Sequence, residues 1–106
     1  MYNYSCQIVR IIDGDTVEFA WLIKATSRLK GLNAPELRGA DAVKGVAAKD
    51  WLSIKLPPKM IQASVHGQDK YGRTLLEFFA DDGSSINEAM IAAGHAKKWD
   101  GTGPKP

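Results

Sequence analysis

A chain of 106 residues, 44% hydrophobic and 25% charged, has the size and composition of one globular domain that buries a core without staples. Its net charge of +2 is too small for a global field to recruit a polyanion, so such a partner must meet a local cluster of the 14 Lys and Arg residues. Cys6 is the only cysteine, which excludes an internal disulfide and a thiolate zinc cluster.

The opening "MYNYSCQIVRII" carries no cationic leader before a long apolar run, and no stretch nears the ~20 apolar residues that span a bilayer. A soluble monomer is expected, and a cytoplasmic, phage- or plasmid-encoded product is favoured over a secreted one. Three strands are predicted first. "CQIVRII" (6–12) and "TVEFAWL" (16–22) alternate β-branched or aromatic residues with polar ones, and "ATSRLKGL" (25–32) ends beside Gly31. The second and third strands meet near Ile23 and Lys24, where no Asn-Gly signal marks the turn. Between the first two lies "IIDGDTV", in which two carboxylates flank a glycine inside an apolar run. Such a glycine marks a bulge, a turn or a close backbone approach.

Pro35 breaks the chain into a loop at Asn33–Glu36. "DAVKGVAAKDWLSIKL" (41–56) is then predicted as a helix with Asp41 as N-cap. Its apolar face would be Val43, Val46, Ala47, Trp51 and Ile54, and Pro57-Pro58 stops it. Gly45 should weaken that helix by roughly 1 kcal/mol. A fourth strand, "KMIQASVH" (59–66), and a fifth, "RTLLEFFA" (73–80), are joined by "GQDKYG", and Asp81-Asp82-Gly83 turns the chain again. Ser85 with Glu88 forms a capping box for a short helix that ends at Gly94. Residues 1–99 thus form the expected domain, and 100–106 a disordered tail. Three strands, a helix, two strands and a helix predict a helix-flanked β-barrel: an α+β, five-stranded oligonucleotide/oligosaccharide-binding (OB) fold of order β-β-β-α-β-β-α.

Charged residues beside glycine or proline are the candidates for chemistry: Asp13, Asp15, Arg28, Glu36, Asp69, Lys70 and Arg73. Gathered at one end of a barrel, they would suit phosphodiester hydrolysis. A hard divalent cation takes oxygen ligands such as Asp15, the Asn33 amide and a loop carbonyl. Guanidinium groups grip phosphate oxygens and stabilise charge building on phosphorus. A carboxylate can take the proton of the attacking water. Each motif also has a plainer structural reading: Asp-Gly-Asp as a turn, "DKYGR" as a solvated hairpin tip, and Arg28 as a surface residue. His66 and His95 lack partners at metal-ligand spacing, and Lys97-Lys98 reads as a solvated pair.

Taken together, "IDGDTV" (12–17), "RLKGLNAPE" (28–36), "DKYGR" (69–73) and "INEAMIAAGHAK" (86–97) resemble the staphylococcal nuclease (thermonuclease) family over nearly the whole chain. The resemblance implies the same five-stranded barrel and a calcium-dependent endonuclease that cuts DNA and RNA with little sequence preference, leaving 3′-phosphate ends. By it, Asp15, Asn33 and the main-chain carbonyl of Ala34 are calcium ligands, and Glu36 is the general base or the residue that orders the attacking water. Arg28 and Arg73 act on the scissile phosphate, and Lys70 and Tyr71 contact the nucleotide. Gly14 would then let the strand change course and turn Asp15 toward the Asn33–Glu36 loop. Asn33 stands where the best-known member has aspartate, so weaker calcium binding is expected. The tyrosines that flank a bound base in the family are replaced by Asp100 and Thr102, which leaves Trp99 either as a stacking surface or as a barrel-packing side chain. The rival function is an inactive nucleic-acid- or protein-binding module of the same fold; such modules usually lack the acid and arginine set present here.

Overall fold

A computed structural model describes residues 5–22 and 25–106. The predicted connection at Ile23 and Lys24 lies outside the described residues. β1 (Ser5–Asp13) and β2 (Thr16–Leu22) form an antiparallel hairpin paired from Cys6↔Trp21 to Asp13↔Thr16, with irregularities at Val9 and Ile12. "IIDGDTV" is the tip of that hairpin. The Asp15 amide donates to Asp13 Oδ1 at 3.2 Å, the local side-chain bond that aspartate offers a tight turn.

The third predicted strand divides into β3 (Ser27–Leu29) and β4 (Leu32–Asn33). Gly31 between them has φ +84°, a left-handed conformation that glycine adopts without a Cβ penalty. β5 (Gln62–Gln68) and β6 (Thr74–Phe79) pair antiparallel, and β3 adds to β6 in parallel with Arg28 opposite Leu75. β5, the predicted fourth strand, begins three residues later than expected. β4 pairs with β7 (Lys97–Lys98), so the lysine pair has a ladder role that its polarity concealed. Helix α1 (Ala42–Lys55) and helix α2 (Ile86–Ala92) complete the α+β order.

Among the described residues the strands make three separate sheets and no closed barrel. β1 and β2 pack chiefly on each other, and the molecule measures 58 × 31 × 24 Å. The radius of gyration is 17.1 Å, against about 13 Å for a compact domain of this length. Ile11, Val17 and Phe19 on the hairpin are consequently exposed.

The core lies between the helices and β4: Leu32, Ala48, Met90 and Ala96 are buried, with Leu29, Ala34, Trp51, Leu52 and Ile91 packed around them. Helix α1 is rotated from the predicted face. Val43, Val46 and Ile54 are exposed, whereas Gly45 and Ala48 are buried. Small side chains win because the helix packs backbone-close: a Cβ on Gly45 would collide with the Glu36 carbonyl. Gly45 is therefore a docking position and not merely a weak point in the helix. Asp41 makes no side-chain cap; a 3-10 turn at Gly39–Asp41 leads into α1 instead. Ser85 caps α2 as expected, accepting from the Glu88 amide at 3.1 Å, and Gly94 (φ +82°) ends the turn after it.

One buried polar residue joins these layers. Asn87 Nδ2 donates to Lys30 O and Leu76 O at 3.0 Å each, and its Oδ1 accepts from the Phe78 amide at 3.1 Å. Replacing it removes these partners from Lys30 O and the Phe78 amide, while Leu76 O keeps the Lys30 amide at 2.9 Å, so Asn87→Ala should cost about 2 kcal/mol in a denaturant titration, and a loss below about 0.5 kcal/mol would contradict this role.

Candidate active site

Residues from several elements meet in one cleft of about 570 Å³, lined by Arg28 of β3, Asn33 of β4, Ala34 and Glu36 of the following loop, and Arg73 just before β6. Parallel pairing of β3 with β6 brings Arg28 and Arg73 together, because Ser27 lies opposite Thr74. The loop carrying Glu36 is pressed against Gly45 of α1, which sets where its backbone sits. A second cleft of about 690 Å³ continues from Asn33 and Glu36 toward Arg38, Lys44 and His95. Glu36 is exposed, Asn33 half-buried.

Arg73 is held firmly. Its Nε donates to Asp69 Oδ2 at 2.7 Å, while Asp69 Oδ1 accepts from the amides of Tyr71 and Arg73 at 2.9 Å each. Gly72, at φ +81°, closes this loop, and its amide donates to Asp69 O. "DKYGR" is thus a knot tied by one carboxylate rather than a loose hairpin tip. Desolvation pushes the Asp69 carboxyl up, but hydrogen bonds from the Arg73 amide and side chain and the Tyr71 amide, with the Arg73 charge, hold it below the ordinary range.

Lys70 and Tyr71 line a third cleft of about 580 Å³ that they share with Arg28, Trp99, Asp100 and Thr102. Arg28 therefore borders both this cleft and the one holding Glu36. The ammonium of Lys70 and the Arg73 guanidinium lie 5.3 and 5.5 Å from the Tyr71 ring centroid.

The structure does not bring every predicted residue to this place. Asp13 and Asp15 sit at the exposed hairpin tip, where Asp15 Oδ1 accepts from Thr16 Oγ1, and neither lines the three clefts. Among the described residues no three His, Cys, Asp or Glu side chains converge as a metal cluster. Two contributors had no role assigned from the sequence. Asp69 stood among the charged candidates without a role, and its grip on Arg73 follows only from the folded turn. Lys105 lines the clefts holding Glu36 although it belongs to the polar 100–106 segment. No sequence signal marked it. His66 has Lys30 Nζ 3.0 Å from its Nδ1 and Glu77 3.7 Å from its Nε2, and Lys30 also lines the third cleft.

Residues 26–104 match the staphylococcal nuclease homologue family. The chain is also 33% identical over 91 residues to a protein of Escherichia coli O157:H7 named an uncharacterized endonuclease, an alignment covering 85% of this chain and 58% of that one. A protein of the same printed name from Escherichia coli aligns with the same figures. Endonuclease YhcR of Bacillus subtilis (strain 168) is 27% identical over 110 residues, covering 92% of this chain but 9% of the relative. No solved structure matches. The chain belongs to the staphylococcal nuclease family and spans a little over half the length of the Escherichia coli relatives it matches.

A depressed carboxyl stabilises the fold above its unfolded pKa and loses that contribution as pH falls through its folded value. Asp69 should therefore supply stability above its ordinary value of 3.8 that fades below it. Denaturation curves of wild type and Asp69→Asn should differ most near neutrality and converge in acid. A difference that does not change with pH would contradict the assigned hydrogen bonds.

Proposed function

We propose that the chain is a calcium-dependent, sugar-nonspecific endonuclease that hydrolyses DNA and RNA to 3′-phosphate ends. The observation that carries this reading is the meeting of Glu36, Arg28 and Arg73 with Asn33 in a single cleft. The endonuclease names of its relatives point the same way.

In this mechanism Arg28 and Arg73 grip the phosphate and stabilise the charge that grows on it as the bond is cut. Glu36 takes the proton from the attacking water as its oxygen bonds to phosphorus. The bond from phosphorus to the 5′ oxygen breaks, that oxygen leaves as a hydroxyl on accepting a proton, and the phosphate stays on the 3′ carbon. Lys70 and Tyr71 hold the adjoining nucleotide along the third cleft.

The oxygen donors Asn33, Ala34 O and Asp15 suit a hard cation such as calcium, which prefers carboxylate, amide and carbonyl oxygens. Bound there, it would add positive charge beside the phosphate. The first two already share the cleft with Glu36. Asp15 joins them if the β1–β2 hairpin folds over as a wall of the five-stranded OB barrel. Its exposed Ile11, Val17 and Phe19, and the exposed Val65 on β5, are the apolar surface that such closure would bury.

Hydrolysis of a defined oligonucleotide, with calcium and with chelator, tests the reading. Glu36→Gln should lower kcat by at least ~10²-fold, and an unchanged rate would contradict the role of Glu36. Asn33→Asp, which adds a charge to the site, should tighten calcium binding in calorimetry. No gain would remove Asn33 from the ligand set.

A further inference from the structure

We infer that Trp99 is a positioning residue: its indole face holds the Arg28 guanidinium between the cleft of Glu36 and the cleft of Lys70 and Tyr71. This rests on the nuclease reading and assigns Trp99 a task other than stacking on a base.

The Arg28 guanidinium carbon lies 4.5 Å from the Trp99 ring centroid, well inside the range at which a cation is attracted to an indole face. A face so occupied is closed to a nucleobase. The indole is itself fixed. Its main-chain amide donates to Gly31 O at 2.9 Å and its Nε1 donates to Thr102 O at 2.8 Å. Thr102 is set in turn by Asp100, whose Oδ1 accepts from the Thr102 amide and hydroxyl at 2.9 and 2.8 Å. The bonds from Thr102 also hold the Asp100 carboxyl below its ordinary range, so it stays an acceptor. The two-residue pairing of β4 with β7 then has a purpose. It delivers Trp99 to the Gly31 turn that follows Arg28.

The two arginines are held by different means. Arg73 leans on a carboxylate at 2.7 Å. Arg28 has no carboxylate partner among the described residues, and its hydrogen bond to Leu32 O, at 3.5 Å, is at the outer limit. An aromatic face orients a guanidinium without neutralising it or occupying its N–H groups edge-on, so those groups remain free for phosphate oxygens. Arg28 therefore reaches the phosphate with its full charge and a restricted set of orientations.

Two measurements test this. Steady-state cleavage of an oligonucleotide with calcium is compared for wild type, Trp99→Leu, Trp99→Phe, Arg28→Ala and Arg28→Ala with Trp99→Leu, with thermal melts confirming that each folds. Trp99→Leu keeps apolar bulk but loses the π face, and should lower kcat about tenfold while KM stays within about twofold. Trp99→Phe should recover most of the loss, and Trp99→Leu should add nothing once Arg28 is gone. A raised KM at unchanged kcat, no rescue by Phe, or full additivity would each overturn the inference. The second measurement needs no activity. In protein labelled with 5-fluorotryptophan, Arg28→Ala should shift the Trp99 fluorine resonance and leave that of Trp51 in place. An unmoved Trp99 signal overturns the inference, whereas a wild type that cuts nothing but shows the shift overturns only the nuclease reading.

Discussion

The three hydrogen bonds of Asn87 are the constraint on which the candidate site rests. Through Lys30 O they fix the end of the strand that carries Arg28, through Leu76 O and the Phe78 amide they fix the strand that Arg73 leads into, and they bind both to α2. Because the Asn87 side chain is buried, slippage of either strand would leave its amide without partners away from water, at a cost above that of losing a surface contact. The parallel alignment of Ser27 with Thr74 is thereby held, and with it the spacing of the two guanidinium groups. Gly45 does the same for the acid: the backbone of the Glu36 loop sits where a side chain on the helix would otherwise be.

Electrostatics then divide the work. Arg73 is locked by Asp69, a partner that both orients it and screens it. Arg28 lies on an indole and keeps its charge unscreened. Lys70 and Lys105 add cations at the adjoining clefts, so a chain with a net charge of only +2 concentrates positive charge where a phosphate would lie. The global charge hid this local arrangement.

Local signals in the sequence were legible where one short-range interaction decides the outcome. The Ser85 cap, the Gly94 stop and the hairpin strands around Asp13-Gly14-Asp15 follow from residues a few positions apart. Glycine and proline mark where side chains leave core duty, and of the candidates so chosen Arg28, Glu36 and Arg73 share a cleft whereas Asp13 and Asp15 do not. Long-range packing was not legible. The buried face of α1 was misread since hydrophobic size favoured Val43, Val46 and Ile54, whereas close docking of the backbone selected Gly45 and Ala48. Asn87 looked like an ordinary helix residue, its three partners lying 9 to 57 positions away. The β4–β7 pairing was hidden because two lysines carry no strand pattern. The closed barrel expected from strand count is not formed among the described residues, and Asp15 stays with the hairpin.

A crystal of the protein grown with calcium and a nucleoside 3′,5′-bisphosphate tests the central claim most directly. The account predicts one cation held by oxygens of Asp15, Asn33 and Ala34, and a phosphate gripped by Arg28 and Arg73 beside Glu36. A cation coordinated elsewhere, or a phosphate touching neither arginine, would contradict it.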